Sequence, residues 1–239
     1  MSDRSSETGV SWSADSRAKL DVSPQLQVFA NLVDQWDPEQ PENLPAILEQ
    51  LVSLDPALAA SLLGPANMVS AKSVWTVKEA IDALSPARIA RDLLAQASIV
   101  NELGIEAEKD LRGVWLHCLG VAIAAELLAE RTGRCTPAHA YLAGLMHDVG
   151  KLALIKHCPK AFARARTLTQ SKQHLATMNE RKIIGTDHLH LGRSLCRTWH
   201  MPKAVCQAAW LHEITADLQP ESISNRDTVA IVALAERVL

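Results

Sequence analysis

The stretch YLAGLMHDVGKLAL, from Tyr141 to Leu154, decides the fold class of this chain. Its apolar residues recur every three or four positions, as on one face of an α-helix, and His147, Asp148 and Lys151 recur at that spacing on the opposite face. The second face becomes apolar again after Lys151. The pattern predicts one continuous helix that is buried nearly all round, with the His147-Asp148 pair inside it.

Two interpretations of this pair remain open from the pattern alone. Either the pair and Lys151 belong to a solvated polar face, or they are buried and need polar partners inside the protein. A buried histidine beside an aspartate suggests a metal site, although so short a motif also occurs by chance. Lys151, one turn after His147, is either a phosphate-binding cation or an ordinary surface lysine.

The composition of the chain favours packed helices over sheets. Of its 239 residues, 48% are hydrophobic and 21% are charged, which is ordinary for a globular protein with a proper core. Alanine and leucine dominate, whereas the chain has only two Phe, one Tyr and ten Gly. We therefore predict an all-α fold.

Charge and cysteine usage restrict the partners and the compartment. The net charge of −3, with no run of five like charges, argues against binding to nucleic acid or to an anionic membrane. We find no signal-peptide core and expect no window long enough to cross a bilayer. The five cysteines form no CxxC pair, as expected of reduced core residues. A cytoplasmic protein with small-molecule or protein partners is expected.

The sequence divides into a short lead-in and two helical parts. Residues 1–22 are polar, rich in serine and aperiodic, which predicts disorder. Residues 23–239 form one domain, in which 23–106 carry short helices and no cluster of His, Cys or Asp. The part 107–239 has the denser apolar pattern and all nine histidines, so any chemistry lies there.

Capping signals and apolar patterns place several helices. Asp55-Pro56 starts a helix that we expect to end near Gly64-Pro65, and Thr76 caps the next one. The helix from Leu111 to Arg131 is apolar around nearly its whole circumference, which predicts a central, buried element. His117 lies within it, and a single buried histidine is more often a hydrogen-bonded core residue than a ligand.

Helical register separates inward-facing from outward-facing polar residues in the second part. His188 shares a face with apolar residues and points inward, whereas His190 shares a face with polar residues and points outward. His212 and Glu236 continue apolar stripes of their own helices. Imidazole and carboxylate ligands suit iron, manganese or zinc, and a pair of such sites can activate water against a phosphate ester. The candidate ligands are His117, His147, Asp148, His188, His212 and Glu236.

These features resemble the HD superfamily, whose signature is a His, a His-Asp pair and a distant Asp on the helices of one bundle. More specifically, the span from about Pro24 to Leu239 resembles an HDOD domain, the relative found in bacterial signalling proteins. The resemblance implies a single multi-helix HD-like bundle with an N-terminal helical subdomain. It is carried by LDPALAASLLGPANM (54–68), VKEAIDALS (77–85), WLHCLGVAIAAELLA (115–129), AYLAGLMHDVGKLAL (140–154) and GTDHLHLGRSLCRTWHMPKAVCQAAWLHE (185–213).

The resemblance implies a role for each candidate ligand. His117 takes the place of the first His, and His147 and Asp148 take the place of the pair. His188 and His212 stand where the HD-GYP phosphodiesterase branch holds a second metal.

Two departures from the enzymatic branch accompany this match. Glu236 stands where the family's final Asp ligand normally lies, and its side chain is longer by about one methylene, to which metal sites are sensitive. The GYP motif is absent after His212-Glu213.

The resemblance implies a regulatory module that acts through contacts with other signalling proteins, without catalysis, since HDOD domains lack demonstrated hydrolase activity. The alternative is a metal-dependent phosphohydrolase or phosphodiesterase that acts on a nucleotide or cyclic nucleotide, with Asp148 and Lys151 in catalytic roles. A nucleotide sensor without turnover would use the same pocket. Motifs of serine hydrolases, phosphate-loop enzymes and dinucleotide-binding enzymes are absent. The chain stops at Val238-Leu239 within an apolar helical pattern, so we expect a truncated core or a short family member.

Overall fold

The computed structural model describes residues 48–49, 52–84, 89, 105–172, 176–213 and 223–239. None of these residues lies in a β-strand, so the predicted all-α class is confirmed. The predicted disordered lead-in, 1–22, lies outside the described residues. The helices are α1 (Pro56–Val69), α2 (Val77–Ala83), α3 (Ile105–Thr132), α4 (Pro137–Met146), α5 (Val149–His157), α6 (Pro159–Lys172), α7 (Ala176–Ile184), α8 (His188–Thr198), α9 (Lys203–Leu211) and α10 (Arg226–Val238).

Helix α1 begins where the sequence predicts but ends later. The Asp55 carboxylate caps its first turn by accepting two backbone N–H hydrogen bonds, at 2.8 and 3.1 Å. The expected end near Gly64-Pro65 is wrong, because the helix continues through this pair to Val69. Buried side chains on both sides of the proline, and close packing of Gly64 on the carbonyl of Trp199, hold the helix together there.

Side chains also hold the connection between α1 and α2. Thr76 caps α2 as predicted, in a capping box that Glu79 completes. The Asn67 side chain donates a hydrogen bond to the carbonyl of Val74 at 3.1 Å and accepts one from its N–H at 2.8 Å. These bonds fix the path of the chain between the two helices.

Helix α3 is 28 residues long and packs against α4, α5 and α10. The sequence predicts this helix, but the prediction that it is buried on all sides is wrong. Leu116, Ile123 and Leu127 are 51%, 46% and 51% exposed, because they share the face that is turned away from those three helices.

The same helix has the length and the apolar composition of a membrane-spanning segment. By length and composition, Lys109–Thr132 could cross a membrane, with a mean hydropathy of 1.5, so the expectation that no window is long enough is wrong. The central helix of a helical bundle passes the same test. Here α3 packs on three other helices and brings the partly exposed His117 side chain to a cavity that Asp148 also lines.

The stretch that contains the His147-Asp148 pair forms two helices rather than one. Helix α4 ends at Met146, α5 begins at Val149, and the pair forms the turn between them, so the prediction of one continuous helix is wrong. The backbone leaves helical geometry at Asp148, where φ is −103° and ψ is 14°. Both side chains of the pair are at most 1% exposed, which excludes the solvated-face interpretation.

Two glycines allow the helices around this turn to approach closely. A Cβ atom on Gly144 of α4 would lie 2.8 Å from the Cα of Ala122 in α3. A Cβ atom on Gly150 of α5 would lie 2.0 Å from the carbonyl oxygen of His188 and 2.8 Å from the backbone nitrogen of Gly192, both in α8. Glycine at these two positions therefore brings α3 and α8 against the turn that carries the pair.

Candidate metal centre

The Asp148 carboxylate lies at the middle of four imidazole rings. Its Oδ2 atom is 3.7 Å from Nε2 of His117 and 3.5 Å from Nε2 of His147. Its Oδ1 atom is 3.6 Å from Nε2 of His188 and 3.5 Å from Nε2 of His212. Each carboxylate oxygen thus faces its own pair of histidines.

Backbone carbonyls orient two of these rings. The Nδ1 atom of His147 is 2.6 Å from the carbonyl oxygen of Gly144, and Nδ1 of His212 is 3.0 Å from that of Ala208. A carbonyl only accepts, so each Nδ1 carries a proton and donates it. In the neutral ring the Nε2 lone pair is then free, and it faces Asp148.

A carboxylate orients the third ring. Nδ1 of His188 is 2.7 Å from Oε2 of Glu180, and the backbone N–H of His188 donates to the same oxygen at 2.8 Å. A histidine ligand that donates its other ring N–H to a carboxylate is a recurrent arrangement in metal sites. Sequence reasoning missed Glu180, although it is in helical register with the buried residues Thr177 and Ile184, which was the available signal.

Several atoms at this site are buried without a hydrogen-bond partner. They include Nε2 of His147, His188 and His212 and Oδ1 of Asp148. Leaving a buried polar atom unpaired costs about 1–3 kcal/mol, so these atoms, gathered around one carboxylate, imply a group that binds them. Imidazole nitrogens and carboxylate oxygens suit iron, manganese or zinc, so the donor set fits a divalent metal ion.

Two further carboxylates border the four rings. Oε2 of Glu236 is 3.9 Å from Nε2 of His212, and Oε1 of Glu213 is 3.2 Å from Nε2 of His188. Glu236 therefore reaches the site in spite of the departure from Asp. Glu213 was not predicted as a candidate ligand, and its position directly after His212 was the only signal.

The described residues contain three overlapping groups in which the candidate ligand atoms lie within 4.8 Å of one another, so that each group could hold a metal ion. Asp148 belongs to two of these groups. In one it lies with His188 and His212, and in the other it lies with His117 and His147. The groups are His117, His147, Asp148 and Glu236; Asp148, His188 and His212; and His212, Glu213 and Glu236.

Neighbouring charges keep Asp148 ionised, and burial keeps His117 neutral. Burial disfavours the Asp148 carboxylate, but Lys151 and His147 outweigh it and hold its pKa well below the usual value. Lys151 Nζ donates to Oδ2 of Asp148 at 2.6 Å. Burial lowers the pKa of His117 to about 4, against the opposing effect of Asp148. Both groups are therefore in the protonation state that binds a metal.

His188 titrates differently from His117. Burial and Lys151 lower its pKa, but the interactions with Glu180, Glu213 and Asp148 outweigh them and raise it to about 9. Burial raises the pKa of Glu213, but His188 outweighs it and the net shift is downward. Burial raises the pKa of Glu236. Without a metal, the α8 side of the site holds an extra proton at neutral pH.

A cavity of about 370 Å³ opens beside the centre. His117, Asp148 and Lys151 line one wall, and the wall formed by α6 includes Phe162 and Arg166. Arg166 is ion-paired with Asp110, which also lines the cavity. Cavities of this size accommodate small ligands.

His139, His190 and His200 belong to none of the groups of described residues that could hold a metal ion. His190 is 59% exposed on the outward face of α8, as its register predicts. His139 stacks on Trp75, with ring centroids 3.8 Å apart, and His200 is exposed. His174 is outside the described residues.

The fold and the site define a class of protein: an all-helical HD-like bundle with imidazoles and carboxylates gathered around one His-Asp pair. The HDOD domain family matches residues 25–215, and the chain belongs to the HDOD family. The family and the fold indicate an HD-like module.

Solved structures support the fold. The MmoQ response regulator of Methylococcus capsulatus, in two crystal structures, is 24% and 25% identical, with a TM-score of 0.73 in both. The alignments cover 94% and 92% of this chain and 86% and 84% of those chains. An HDOD domain protein of unknown function from Geobacter sulfurreducens is 24% identical, with a TM-score of 0.51, covering 89% of this chain and 70% of that one. No curated protein matches the chain. The predicted HD-like bundle and HDOD membership are confirmed.

Proposed function

We propose that this chain is a signalling module that binds divalent metal ions between five of its helices and relays information through protein contacts. The observation that carries the metal assignment is the fixed orientation of His147, His188 and His212. In each ring Nδ1 has an acceptor and Nε2 faces Asp148, and Nε2 of His188 also lies 3.2 Å from Oε1 of Glu213. Such a cluster is costly without a metal and well matched to one.

The shared carboxylate supports two metal ions rather than one. Oδ2 of Asp148 would join His117, His147 and Glu236 as ligands of the first ion. Oδ1 would join the histidines of α8 and α9 as ligands of the second, with Glu213 at its edge. When bound, such ions act as Lewis acids and lower the pKa of a bound water.

We propose other signalling proteins as the partners to which the chain relays information. This part of the proposal rests on the family and on one similar structure. The HDOD resemblance implies regulatory modules, and the similar Methylococcus protein is described as a response regulator. Two departures from the phosphodiesterase branch, Glu236 and the missing GYP motif, also favour a module without turnover.

The cavity beside the centre favours hydrolysis of a phosphate ester as a second candidate function. A ligand in it would contact His117 and the Lys151 ammonium, which would attract a phosphate. A nucleotide or cyclic nucleotide would be the substrate, and Phe162 would border its less polar part.

Metal content tests the proposal directly. Protein purified without a chelator is compared with His147→Ala by plasma mass spectrometry, with His190→Ala as the control, because His190 lies on the outward face of the bundle. We expect about two equivalents of iron, manganese or zinc, a loss of at least one of them in His147→Ala, and no change in His190→Ala. Equal content in all three proteins, or folded protein that takes up no metal, contradicts the assignment.

Turnover and complementation separate the two functions. We expect the metal-loaded protein to leave bis(p-nitrophenyl) phosphate and cyclic dinucleotides intact, and folded Asp148→Asn to restore signalling in a host that lacks the wild-type chain. Turnover that Asp148→Asn abolishes, together with failed complementation by this variant, would select the hydrolase instead.

A further inference from the structure

A second cavity, with a polar lining, lies along the later turns of α8. It has a volume of about 820 Å³ and lies between the chain that follows α1 and the helices α8 and α9. We call it the basic cleft, because its wall carries Lys72, Arg193, Arg197, His200 and Lys203. No Asp or Glu occurs among the described residues that line it. The whole chain is slightly acidic, with 27 acidic and 24 basic residues, so this wall differs from the average surface.

The cations of the cleft come from separate elements that are held in place. Lys72 lies between α1 and α2, where Asn67 fixes the chain by its two hydrogen bonds to Val74. Arg193 and Arg197 lie one turn apart on α8. Like charges gathered from distant parts of the chain repel one another, so their common placement favours a bound anion.

Within the part of the chain that the structure describes, three cations of the cleft have no carboxylate partner. In the described part of the chain, Lys72, Arg193 and Arg197 are not ion-paired, whereas Arg166 and Arg181 elsewhere contact Asp110 and Asp187. The charges of the cleft are thus not neutralised within the described structure, and they remain available to a ligand.

The start of α9 adds a further positive contribution. Pro202 precedes this nine-residue helix and makes no side-chain cap, and Pro202 and Lys203 both line the cleft. The first N–H groups of a helix have no partner within the helix, and its N-terminus carries a partial positive charge. These groups complement the side-chain cations that already mark the cleft.

One wall of the cleft is suited to a flat ring. The Arg193 guanidinium lies 3.7 Å from the centroid of the Trp210 ring, and both side chains are half-buried. Aromatic rings and arginine planes both stack on nucleobases. The volume is well above what a phosphate group needs and falls in the range of cavities that bind drug-sized ligands.

We propose that the basic cleft binds a nucleoside diphosphate or triphosphate. The phosphates lie on Lys72, Arg197 and Lys203, whose charges match those of two or three phosphate groups, and the base lies against the Arg193–Trp210 pair. The phosphate-binding part of this site is separate from the metal centre, because His188 begins α8 and Arg197 follows nine residues later, about 14 Å along the helix axis.

Calorimetric titration of the full chain with ADP, GDP, inorganic pyrophosphate and adenosine tests the proposal. The buffer contains EDTA, so that metal-dependent binding at the His-Asp centre is excluded and failure of the metal assignment leaves this test intact. The variant is Lys72→Ala with Arg197→Ala, because both side chains are exposed and their loss spares the core. The matched control is Lys78→Ala with Arg131→Ala, which removes the same charge from exposed positions outside the cleft.

We expect ADP or GDP to bind with a dissociation constant below about 100 μM, and at least about tenfold more tightly than pyrophosphate or adenosine. The cleft variant should weaken nucleotide binding by at least about tenfold, and the control pair should leave it unchanged. Equal weakening by both pairs, or no nucleotide binding up to about 1 mM, overturns the proposal. Pyrophosphate binding as tightly as ADP overturns the nucleotide assignment.

Discussion

The candidate metal centre includes the first residue of α8, the basic cleft lies along its later turns, and the two regions differ in burial. At the centre, His147, Asp148 and His188 are at most 1% exposed, and hydrogen bonds to fixed acceptors orient the two rings. At the cleft, Lys72 and Arg197 are exposed and not ion-paired within the described residues.

This difference indicates how each region tolerates change. The centre is part of the packed core, so substitutions there that change the size of a side chain alter the fold and metal binding together. The cleft depends on the charge of exposed side chains, so substitutions there should alter ligand binding while leaving the fold intact. The predictions below test this contrast, beginning with the largest expected effect.

Gly150→Ala should be the most damaging single change at the centre. The added Cβ would meet the carbonyl oxygen of His188, so α5 and α8 must separate, at a cost of about 3 kcal/mol in the free energy of unfolding. Thermal and urea unfolding followed by circular dichroism measure this loss. Gly113→Ala is the control: its Cβ would meet nothing within 4 Å, and we expect equal or slightly higher stability. Equal stability of the two variants would contradict the tight packing of α5 on α8.

Glu180→Gln should weaken metal binding without unfolding the protein. The amide keeps the size of the side chain but loses the charge that orients His188, and loss of such a partner typically costs about 10–100-fold in metal affinity. Competition with a fluorescent chelator measures the affinity. Glu130→Gln, an exposed position on α3, should change nothing. An unchanged affinity in Glu180→Gln would remove Glu180 from the site.

Metal affinity should rise with pH up to about pH 9. The pKa of His188 in the metal-free protein is raised to about 9, so below that pH a metal must displace a proton from its Nε2. Apparent affinity should therefore increase by up to about tenfold per pH unit between pH 7 and 9 and then level off. The same chelator competition across this range measures it. A flat profile would mean that His188 does not bind the metal.

Removing cations from the cleft should have the smallest effect on stability. Lys72→Ala and Arg197→Ala should each change the free energy of unfolding by less than about 0.5 kcal/mol, because both side chains are exposed. The same truncation at the centre, Lys151→Ala, should cost distinctly more, since the buried Asp148 carboxylate loses its 2.6 Å partner. Urea unfolding of the three variants compares them. A large loss for the cleft variants would show that these cations support the fold.

The parts of the site that sequence predicted are those with a local signal. His188 and His190 are two residues apart, and helical register alone assigns one to the interior and the other to solvent, which the structure bears out. The turn at Asp148 was missed, because apolar spacing is nearly the same in one helix and in two helices joined by two residues.

The parts that sequence missed depend on contacts between distant elements. Glu180 matters through its contact with His188, across the boundary between α7 and α8. The basic cleft brings Lys72 beside Arg193 and Arg197, more than a hundred positions away, and no charge run marks either stretch. The exposed face of α3 was missed because composition alone does not distinguish a helix packed on one side from one packed all round.

Helix α8 is held near both ends, at its first turn by the contact with Gly150 and just beyond its last turn by the contact of Trp199 with Gly64. A helix fixed in this way keeps the centre and the cleft at a constant separation, set by its rise of 1.5 Å per residue. The distance between a metal ion at the centre and a ligand at the cleft can therefore be measured by spectroscopy. A paramagnetic ion such as Mn²⁺ at the centre would enhance nuclear relaxation in a nucleotide at the cleft, to an extent that reports the length of α8.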